Sequence, residues 1–249
     1  PHLNFNVWSI YHTTTIKTLR IVYYYMELFE YKDGITCFYL FVGKSGSGKS
    51  VLMKCLLAKG WQEEKWAFGL CFVSTKFKHD FKWMPDKAVV EGYNEAILER
   101  YVGKLKAMYK KDGRLPRSFL IFEDCQGLLD NMSKFFTNFM ATFRHLNIDI
   151  FITAQYISGQ RGISPIIREQ VTHAIMFRSG TERTLRHLYE AFGGEFESKK
   201  EFTRVFLLNT QQKYTALLYR QAHPAVKDYK VIMSPDPRTV PPTKIKFKL

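Results

Sequence analysis

The sequence has few cysteines, and those it has lie far apart. Its 249 residues contain no CxxC pair, so neither a zinc knuckle nor a disulfide framework is indicated. We therefore expect buried thiols in a reducing compartment. The four thiols are those of Cys37, Cys55, Cys71 and Cys125.

The start of the sequence also lacks the features of a membrane span or a signal peptide. Residues 1–16 contain no Lys, Arg, Asp or Glu, but His, Asn, Ser and Thr interrupt the apolar residues. A bilayer span needs about 20 predominantly apolar residues, and no signal-peptide pattern is present. We expect a soluble, intracellular protein with no transmembrane segment.

Acidic residues are too few to balance the basic ones. Lys and Arg number 37 against 23 Asp and Glu, a net charge of +14, which favours nucleic acid or an anionic membrane surface as a partner. The composition, 46% hydrophobic and 24% charged, is typical of one large globular domain. We expect this domain over residues 34–233. It would follow an N-terminal extension over 1–33, in which Met26 is a possible true start, and precede a basic, proline-rich tail over 234–249.

Apolar runs alternate with helical patterns from residue 35 onward, which is typical of α/β proteins. Gly60 is expected to end the first helix. The last two apolar runs, 214–219 and 229–233, could pair as an antiparallel addition to one sheet edge. The alternation predicts a mostly parallel central sheet covered by helices on both faces, with ligands at the carboxyl ends of its strands. The predicted strands are 35–42, 67–74, 119–122, 148–153 and 174–177, and the predicted helices are 50–59, 95–110 and 128–146.

Residues 43–50, GKSGSGKS, match the pattern GxxxxGK[ST] between a predicted strand and a predicted helix. The glycines allow backbone N–H groups to face phosphate oxygens, and the helix directs its positive end at the same anion. The motif predicts that Lys49 reaches the β- and γ-phosphates of ATP and that Ser50 places its hydroxyl on Mg²⁺. The expected nucleotide-binding residues are Gly43, Lys44, Ser45, Gly46, Ser47, Gly48, Lys49, Ser50 and Val51.

Polar side chains follow the third and fourth predicted strands. Glu123 and Asp124 end the third predicted strand, where one carboxylate can hold the magnesium hydration shell and its neighbour can polarise the attacking water. ATPases of this type usually read Asp-Glu or Asp-Asp here, and which of the two acids activates water stays open. Gln155 follows the next strand, and its amide can donate to a γ-phosphate oxygen and accept from the water. We predict a catalytic group that includes Lys49 and these three residues, with Ser50 and the two acids at the metal.

Four segments together carry a family resemblance: GKSGSGKS, FLIFED, FRHLNIDIFITAQ and ISPIIREQVTHAIMFR. Over residues 35–190 the sequence resembles the FtsK/HerA superfamily, most closely the genome-packaging ATPases of poxviruses, other large DNA viruses and virophages. The first segment, GKSGSGKS, is a P-loop, which many nucleotide-binding families share. The order of Arg-His before a strand ending in Gln, followed by Pro-x-x-x-Arg, is fairly specific to this family. Gln170 stands where the family usually has Asn.

The resemblance implies a RecA/FtsK-HerA-like P-loop NTPase fold and a homo-oligomeric ring, pentameric or hexameric. Such a ring threads double-stranded DNA into a preformed viral capsid at a vertex or portal, in the virion or in a cytoplasmic virus factory. In this family an arginine of one subunit completes the site of its neighbour. Arg144, in Phe143-Arg144-His145, is the first choice for this catalytic arginine and Arg168 is the second.

Other interpretations share parts of the pattern. Asp124 begins a DxxG element like that of GTPases, but no NKxD guanine motif follows. Ser158-Gly159-Gln160 resembles the signature of ABC transporters, but that signature should precede the acidic strand, and here it follows it. A small-molecule kinase would not need Gln155 and does not explain the positive charge. A nucleotide-gated DNA-binding or scaffold protein with weak hydrolysis remains the main alternative, because the acid pair begins with Glu123.

Contacts of a packaging motor with DNA would be made to phosphates and would not depend on base sequence. The basic stretches that could make them are residues 76–78, residues 104–111 and the C-terminal lysines. The aromatic residues, 16% of the chain, are expected to pack in the core rather than to stack on bases.

Overall fold

The computed structural model describes residues 35–74, 81–125, 133–158, 162–223 and 226–233. The predicted extension over 1–33, the possible start at Met26, the tail over 234–249 and the basic stretch at 76–78 lie outside the described residues.

The described residues build one eight-stranded sheet. Its strands are Phe38–Val42 (β1), Phe68–Val73 (β2), Val89–Glu91 (β3), Ser118–Glu123 (β4), Ile148–Ala154 (β5), His173–Phe177 (β6), Thr215–His223 (β7) and Val226–Met233 (β8). The order across the sheet is β3-β2-β4-β5-β1-β6-β7-β8. Strands β1 to β6 pair in parallel, whereas β7 and β8 add antiparallel strands at one edge, as predicted.

The helices that cover the sheet begin at side-chain caps wherever the sequence supplies Ser, Thr or Asn. They are Lys49–Gln62 (α1), Glu95–Asp112 (α2), Lys134–Thr142 (α3), Pro165–Glu169 (α4), Glu182–Phe192 (α5) and Lys199–Asn209 (α6). The side chains that cap α2 to α6 each accept a hydrogen bond from the N–H three residues later, which satisfies a donor that the first helical turn leaves unpaired. These caps are Asn94, Ser133, Ser164, Thr181 and Ser198.

Both faces of the sheet are buried, which explains why its central strands are almost entirely apolar. Along β1, Phe38 and Leu40 face the core formed with α2 to α6, whereas Tyr39 and Phe41 face the core formed with α1 and residues 81–88. The predicted sheet with helices on both faces is therefore confirmed. All four cysteines are buried free thiols, and burial raises the pKa of Cys37 and of Cys55 to about 11.

The prediction that Gly60 ends the first helix is wrong. Helix α1 continues through Gly60 to Gln62, and a Cβ at position 60 would lie 2.2 Å from the ring of Trp66. Glycine at this position allows the Trp66 ring to pack closely against the helix, and any larger side chain would prevent this contact.

The helix predicted over 128–146 is shorter in the structure. Helix α3 begins at Lys134 because Ser133 caps it, and after Thr142 the chain continues as a 3-10 turn over Phe143–Leu146. Residues 126–132 lie outside the described residues. The elements β3, α4, α5 and α6 were not predicted, although the apolar spacing of Leu185, Leu188 and Phe192 on α5 is helical.

A buried ion pair joins the strands at their amino-terminal edge. The carboxylate of Asp149 is fully buried and accepts hydrogen bonds from Trp66 Nε1 at 2.7 Å, from the Cys37 N–H at 2.7 Å and from Arg117 Nε at 2.8 Å. Because several donors satisfy this charge, its burial is tolerated. The cluster holds the starts of β1, β4 and β5 together, at the edge of the sheet opposite to the strand ends that carry Glu123 and Gln155.

Candidate functional site

The predicted polar residues meet because three parallel strands end at the same edge of the sheet. In the register of β1 with β5, Val42 lies beside Ala154, and in that of β4 with β5, Glu123 lies beside Thr153. The loop after β1, the acids at the end of β4 and the residue after β5 are therefore adjacent. This is the crevice at strand carboxyl ends where α/β proteins bind ligands.

The loop between β1 and α1 wraps back onto the first turn of the helix. Gly46 and Gly48 have φ of +74° and +102°, a left-handed backbone that glycine adopts without strain. Gly43 donates its N–H to the Ala154 carbonyl at 3.1 Å. A Cβ at position 43 would lie 2.7 Å from Phe177 Cβ, so only glycine fits against β6 here.

Lys49 is the first residue of α1 and turns its side chain back across this loop. Its Nζ donates to the carbonyls of Gly43 at 2.7 Å and Lys44 at 2.9 Å, and only 9% of the residue is exposed. Burial lowers the pKa of Lys49, and the charges of Glu123 and Asp124 partly oppose that shift. The ammonium group thus lies within the field of both carboxylates.

Glu123 is buried, with 5% of the residue exposed. The Ser50 hydroxyl donates to its Oε1, and the Thr153 hydroxyl donates to its Oε2 at 2.6 Å. Burial raises the pKa of Glu123, while these two hydrogen bonds and the Lys49 charge lower it in part. Both carboxylate oxygens are therefore held by hydroxyl groups, one from the helix that follows the P-loop and one from β5.

Asp124 has a different position from its neighbour. It is half-buried and has a left-handed backbone with φ of +53°, and its N–H donates to Thr153 Oγ1 at 3.1 Å. The Gln155 amide nitrogen lies 3.4 Å from Asp124 Oδ1 and 3.3 Å from Oδ2. The turn after β4 thus directs the two adjacent acids to different partners, Glu123 to Ser50 and Asp124 to Gln155.

These groups surround one cavity of about 290 Å³. Of the predicted nucleotide-binding residues, Gly43 and Lys44 contribute the carbonyls that hold Lys49, and the remainder line the cavity. The other lining residues are Glu123, Asp124, Thr153, Gln155 and Tyr214. The structure therefore brings together every predicted site residue except Arg144.

Two lining residues, Thr153 and Tyr214, were not predicted to belong to the site. Thr153 accepts from the Asp124 N–H and donates to Glu123, so its hydroxyl connects both acids to β5. Its position directly before Ala154 and Gln155 at a strand end was a usable signal. Tyr214 precedes β7, about 60 residues further along the chain, and no local pattern marks it.

The two arginines considered as catalytic groups lie away from the cavity. Arg144 is in the 3-10 turn before β5, where it donates to the Gln170 carbonyl at 3.2 Å and its guanidinium lies 5.3 Å from the centre of the Phe143 ring. Strand β5 rises about 3.3 Å per residue, so its seven residues place Arg144 roughly 20 Å from its own cavity. Arg168 is in α4, which leads into the same amino-terminal edge of the sheet.

Among the described residues, no group of three or more His, Cys, Asp or Glu side chains is placed to hold a metal ion. The oxygen donors at the cavity are the Ser50 hydroxyl and the carboxylates of Glu123 and Asp124, a donor set that suits Mg²⁺. None of the helices in the described part of the chain has both the length and the apolar character that a membrane span requires.

The sequence is similar to a known protein family and to a protein of a large virus. The family described as Poxvirus A32 protein matches residues 30–214. Uncharacterized protein L437 of Acanthamoeba polyphaga mimivirus is 24% identical over 182 residues, which cover 68% of this chain and 62% of that protein. The chain thus spans less than two thirds of the length of this relative.

Solved structures share the fold. The genome packaging NTPase B204 from Sulfolobus turreted icosahedral virus 2, in complex with AMPPCP, matches with a TM-score of 0.57 at 17% identity, over 78% of this chain and 96% of that one. The pCW3 conjugation coupling protein TcpA with ATPgS matches with a TM-score of 0.57 at 15% identity, over 84% and 64%. The type VII secretion ATPase EccC of Thermomonospora curvata has a TM-score of 0.53 at 14% identity, over 76% and 25%. The expected P-loop NTPase fold is confirmed.

Proposed function

The chain belongs to the Poxvirus A32 protein family, and on this basis we propose that it is an ATP-driven translocase of double-stranded DNA that packages a viral genome into a preformed capsid. The observation that carries the proposal is the cavity in which Lys49, Ser50, Glu123, Asp124 and Gln155 meet. A P-loop, two strand-end acids and a strand-end amide supply the parts that nucleotide hydrolysis requires.

In this proposal the loop and Lys49 bind the triphosphate. The loop N–H groups and the start of α1 attract the phosphates, and the Lys49 ammonium lies close enough to move from the loop carbonyls to phosphate oxygens. Ser50 and Glu123 would hold Mg²⁺, which when bound supplies charge neutralisation at the β- and γ-phosphates.

The different contacts of the acids suggest a division of roles. Both Glu123 oxygens accept from hydroxyl groups, one of them that of Ser50, so Glu123 belongs to the metal side of the cavity. Asp124 faces Gln155, so these two would hold the attacking water. Water oxygen would bond to the γ-phosphorus, the bond from that phosphorus to the bridging oxygen would break, and the water proton would pass to Asp124. Each position of the pair then has one role, the first acid at the metal and the second at the water, although the residue types are Glu and Asp.

The partners follow from the family and from charge. A net charge of +14 suits the DNA phosphates that a translocase follows. Work on DNA by a packaging motor would require a ring, pentameric or hexameric, with Arg144 of each subunit at the neighbour's cavity, and attachment at a capsid vertex or portal. The place of action would be the virion or a cytoplasmic virus factory.

The test is DNA-stimulated release of phosphate from ATP. Lys49→Ala should lower the turnover by about 10²- to 10³-fold, because it removes a charged donor to the transition state. Lys54→Ala is the matched control, since Lys54 is on the same helix α1 and does not line the cavity. Asp124→Asn should abolish turnover while it preserves binding of ATP with magnesium.

Two outcomes would contradict the proposal. Binding of ATP without phosphate release, with or without DNA, would instead favour a nucleotide-gated DNA-binding or scaffold protein. Transfer of phosphate to a small molecule, with no response to DNA, would favour a kinase.

A further inference from the structure

Among the described residues that line the cavity, Tyr214 is the one aromatic side chain. It lies in the connection between α6 and β7, on the antiparallel side of the sheet, far along the chain from the P-loop. The other described lining residues are polar, small or aliphatic, so Tyr214 adds the one planar aromatic surface that these residues present to the cavity.

The backbone of Tyr214 is in a conformation that a bulky residue rarely adopts. Its φ is +68°, in the left-handed region that favours glycine. Such outliers persist only where the surrounding structure imposes them, and they cluster at ligand clamps. The conformation of Tyr214 beside the cavity therefore points to a role in ligand binding.

Hydrogen bonds on both sides hold the turn that carries Tyr214. The Gln212 carbonyl accepts from the Thr215 N–H at 3.1 Å and from the Thr215 hydroxyl at 2.5 Å. At the end of α6, Arg178 Nη1 lies 3.3 Å from the Thr210 carbonyl oxygen and donates to it. Residue 178 directly follows β6, which packs against the P-loop at Gly43, so the turn is tied to the strand that adjoins the loop.

A cation lies over the Tyr214 ring. The Lys213 ammonium is 4.8 Å from the ring centre, a distance at which the cation is attracted to the ring face. A second planar group can then stack only on the opposite face. A nucleobase is such a group, and base stacking on tyrosine is a common source of affinity that tolerates different bases.

We propose that Tyr214 is the residue on which the nucleobase stacks while the P-loop holds the phosphates. The inference rests on the proposed function, because it takes ATP to be the ligand of this cavity. Since stacking reads no hydrogen-bonding edge, it also implies that ATP and GTP bind with similar affinity at this contact.

The test compares ATP with inorganic tripolyphosphate, which has the phosphates without the base, by titration calorimetry. Tyr214→Ala should weaken ATP binding by about 10-fold or more and leave tripolyphosphate binding within about 2-fold. Tyr214→Phe keeps the ring and should retain the ATP affinity. Tyr214→Gly removes the ring and also relieves the left-handed backbone, so it should fold and reproduce the loss seen with alanine.

Controls separate this inference from the proposed function. Tyr109→Ala, at an exposed tyrosine on α2 outside the cavity, should leave both ligands unaffected, whereas Lys49→Ala should weaken both. Equal loss of ATP and tripolyphosphate binding in Tyr214→Ala, or no loss of ATP binding, would overturn the stacking role and leave nucleotide binding intact. Failure of the unaltered protein to bind either ligand would refute nucleotide binding itself.

Discussion

Thr153 shows how one side chain can organise two others. It donates to Glu123 and accepts from the backbone of Asp124, so the acids at the end of β4 take their orientation from β5. The consequence is that Glu123 remains buried beside hydroxyl groups instead of turning to solvent. A carboxyl group kept in such an environment carries a stability cost that depends on pH.

The pH dependence of stability should report this cost. Burial raises the pKa of Glu123 above the value that it has in the unfolded chain. Between those two values the native state binds more protons than the unfolded state, so the free energy of unfolding falls as pH rises through this window. Glu123→Gln, which cannot ionise, should lack this contribution.

Urea denaturation of both proteins without nucleotide, between about pH 4 and pH 8, measures the difference. The stability of the unaltered protein relative to Glu123→Gln should decrease as pH rises and then level off. Parallel stability curves over the whole range would show that Glu123 ionises in the native state as it does in the unfolded chain.

Helix α2 combines a structural face with a charged one. Leu98, Val102 and Leu105 are buried against the sheet. On the solvent side the exposed cations include Lys106 and Lys110, which are four residues apart and therefore neighbours on the helix surface. Among the described residues, neither of these two lysines forms an ion pair. Under the proposed function, these charges would contact the phosphates of DNA.

Replacement of these two lysines tests the helix as a DNA-binding element. Lys106→Gln with Lys110→Gln should weaken binding of double-stranded DNA at low salt. The slope of log affinity against log salt concentration should decrease by about 2, because each phosphate contact contributes about 0.9. ATP turnover without DNA should remain unchanged.

The matched control is Lys82→Gln with Lys87→Gln. These two exposed lysines lie in the segment that packs with α1 on the other face of the sheet. If both double variants changed the salt slope equally, the DNA contact would be a diffuse effect of net charge and not a property of α2.

A catalytic role for Arg144 would require a second subunit. It lies at the amino-terminal edge of the sheet, and its contacts with Gln170 and Phe143 hold the guanidinium there. The length of β5 separates it from the cavity of its own subunit, so any catalytic role must be played at the cavity of another. The monomer fold is thus compatible with a shared site but does not contain one.

Mixing experiments should reveal a shared site. Arg144→Ala alone should lower ATP turnover by about 10³-fold if the arginine stabilises the transition state. Mixed oligomers of Arg144→Ala and Lys49→Ala subunits should regain part of the activity, because some interfaces then combine an intact lysine with an intact arginine.

The same mixture with Arg168→Ala in place of Arg144→Ala tests the second candidate. Absence of rescue by Arg144→Ala subunits, in oligomers verified to contain both variants, would remove Arg144 from consideration. Rescue that occurred only with Arg168→Ala would assign the role to Arg168.

The sequence could predict those parts of the molecule that depend on neighbours along the chain. The P-loop is one continuous segment, and the apolar runs before Gly43, Glu123 and Gln155 read as buried strands because both faces of the sheet are covered. Short elements such as β3 and α4 escaped because three to five residues are too few for a periodic pattern. The prediction that Gly60 ends a helix was wrong because this glycine makes room for the ring of Trp66, a tertiary contact that no local pattern shows.

The amino-acid sequence alone thus determined which chemical groups this protein presents: a glycine-rich loop, two acids and an amide, each at the end of an apolar strand. Only the folded chain decided their arrangement, because hydrogen bonds between strands set which acid faces Ser50 and which faces Gln155. Tertiary structure also brought Tyr214 to the cavity and placed Arg144 at the opposite edge. Contacts between residues that are far apart in the chain depend on strand order and register, and no local pattern encodes these.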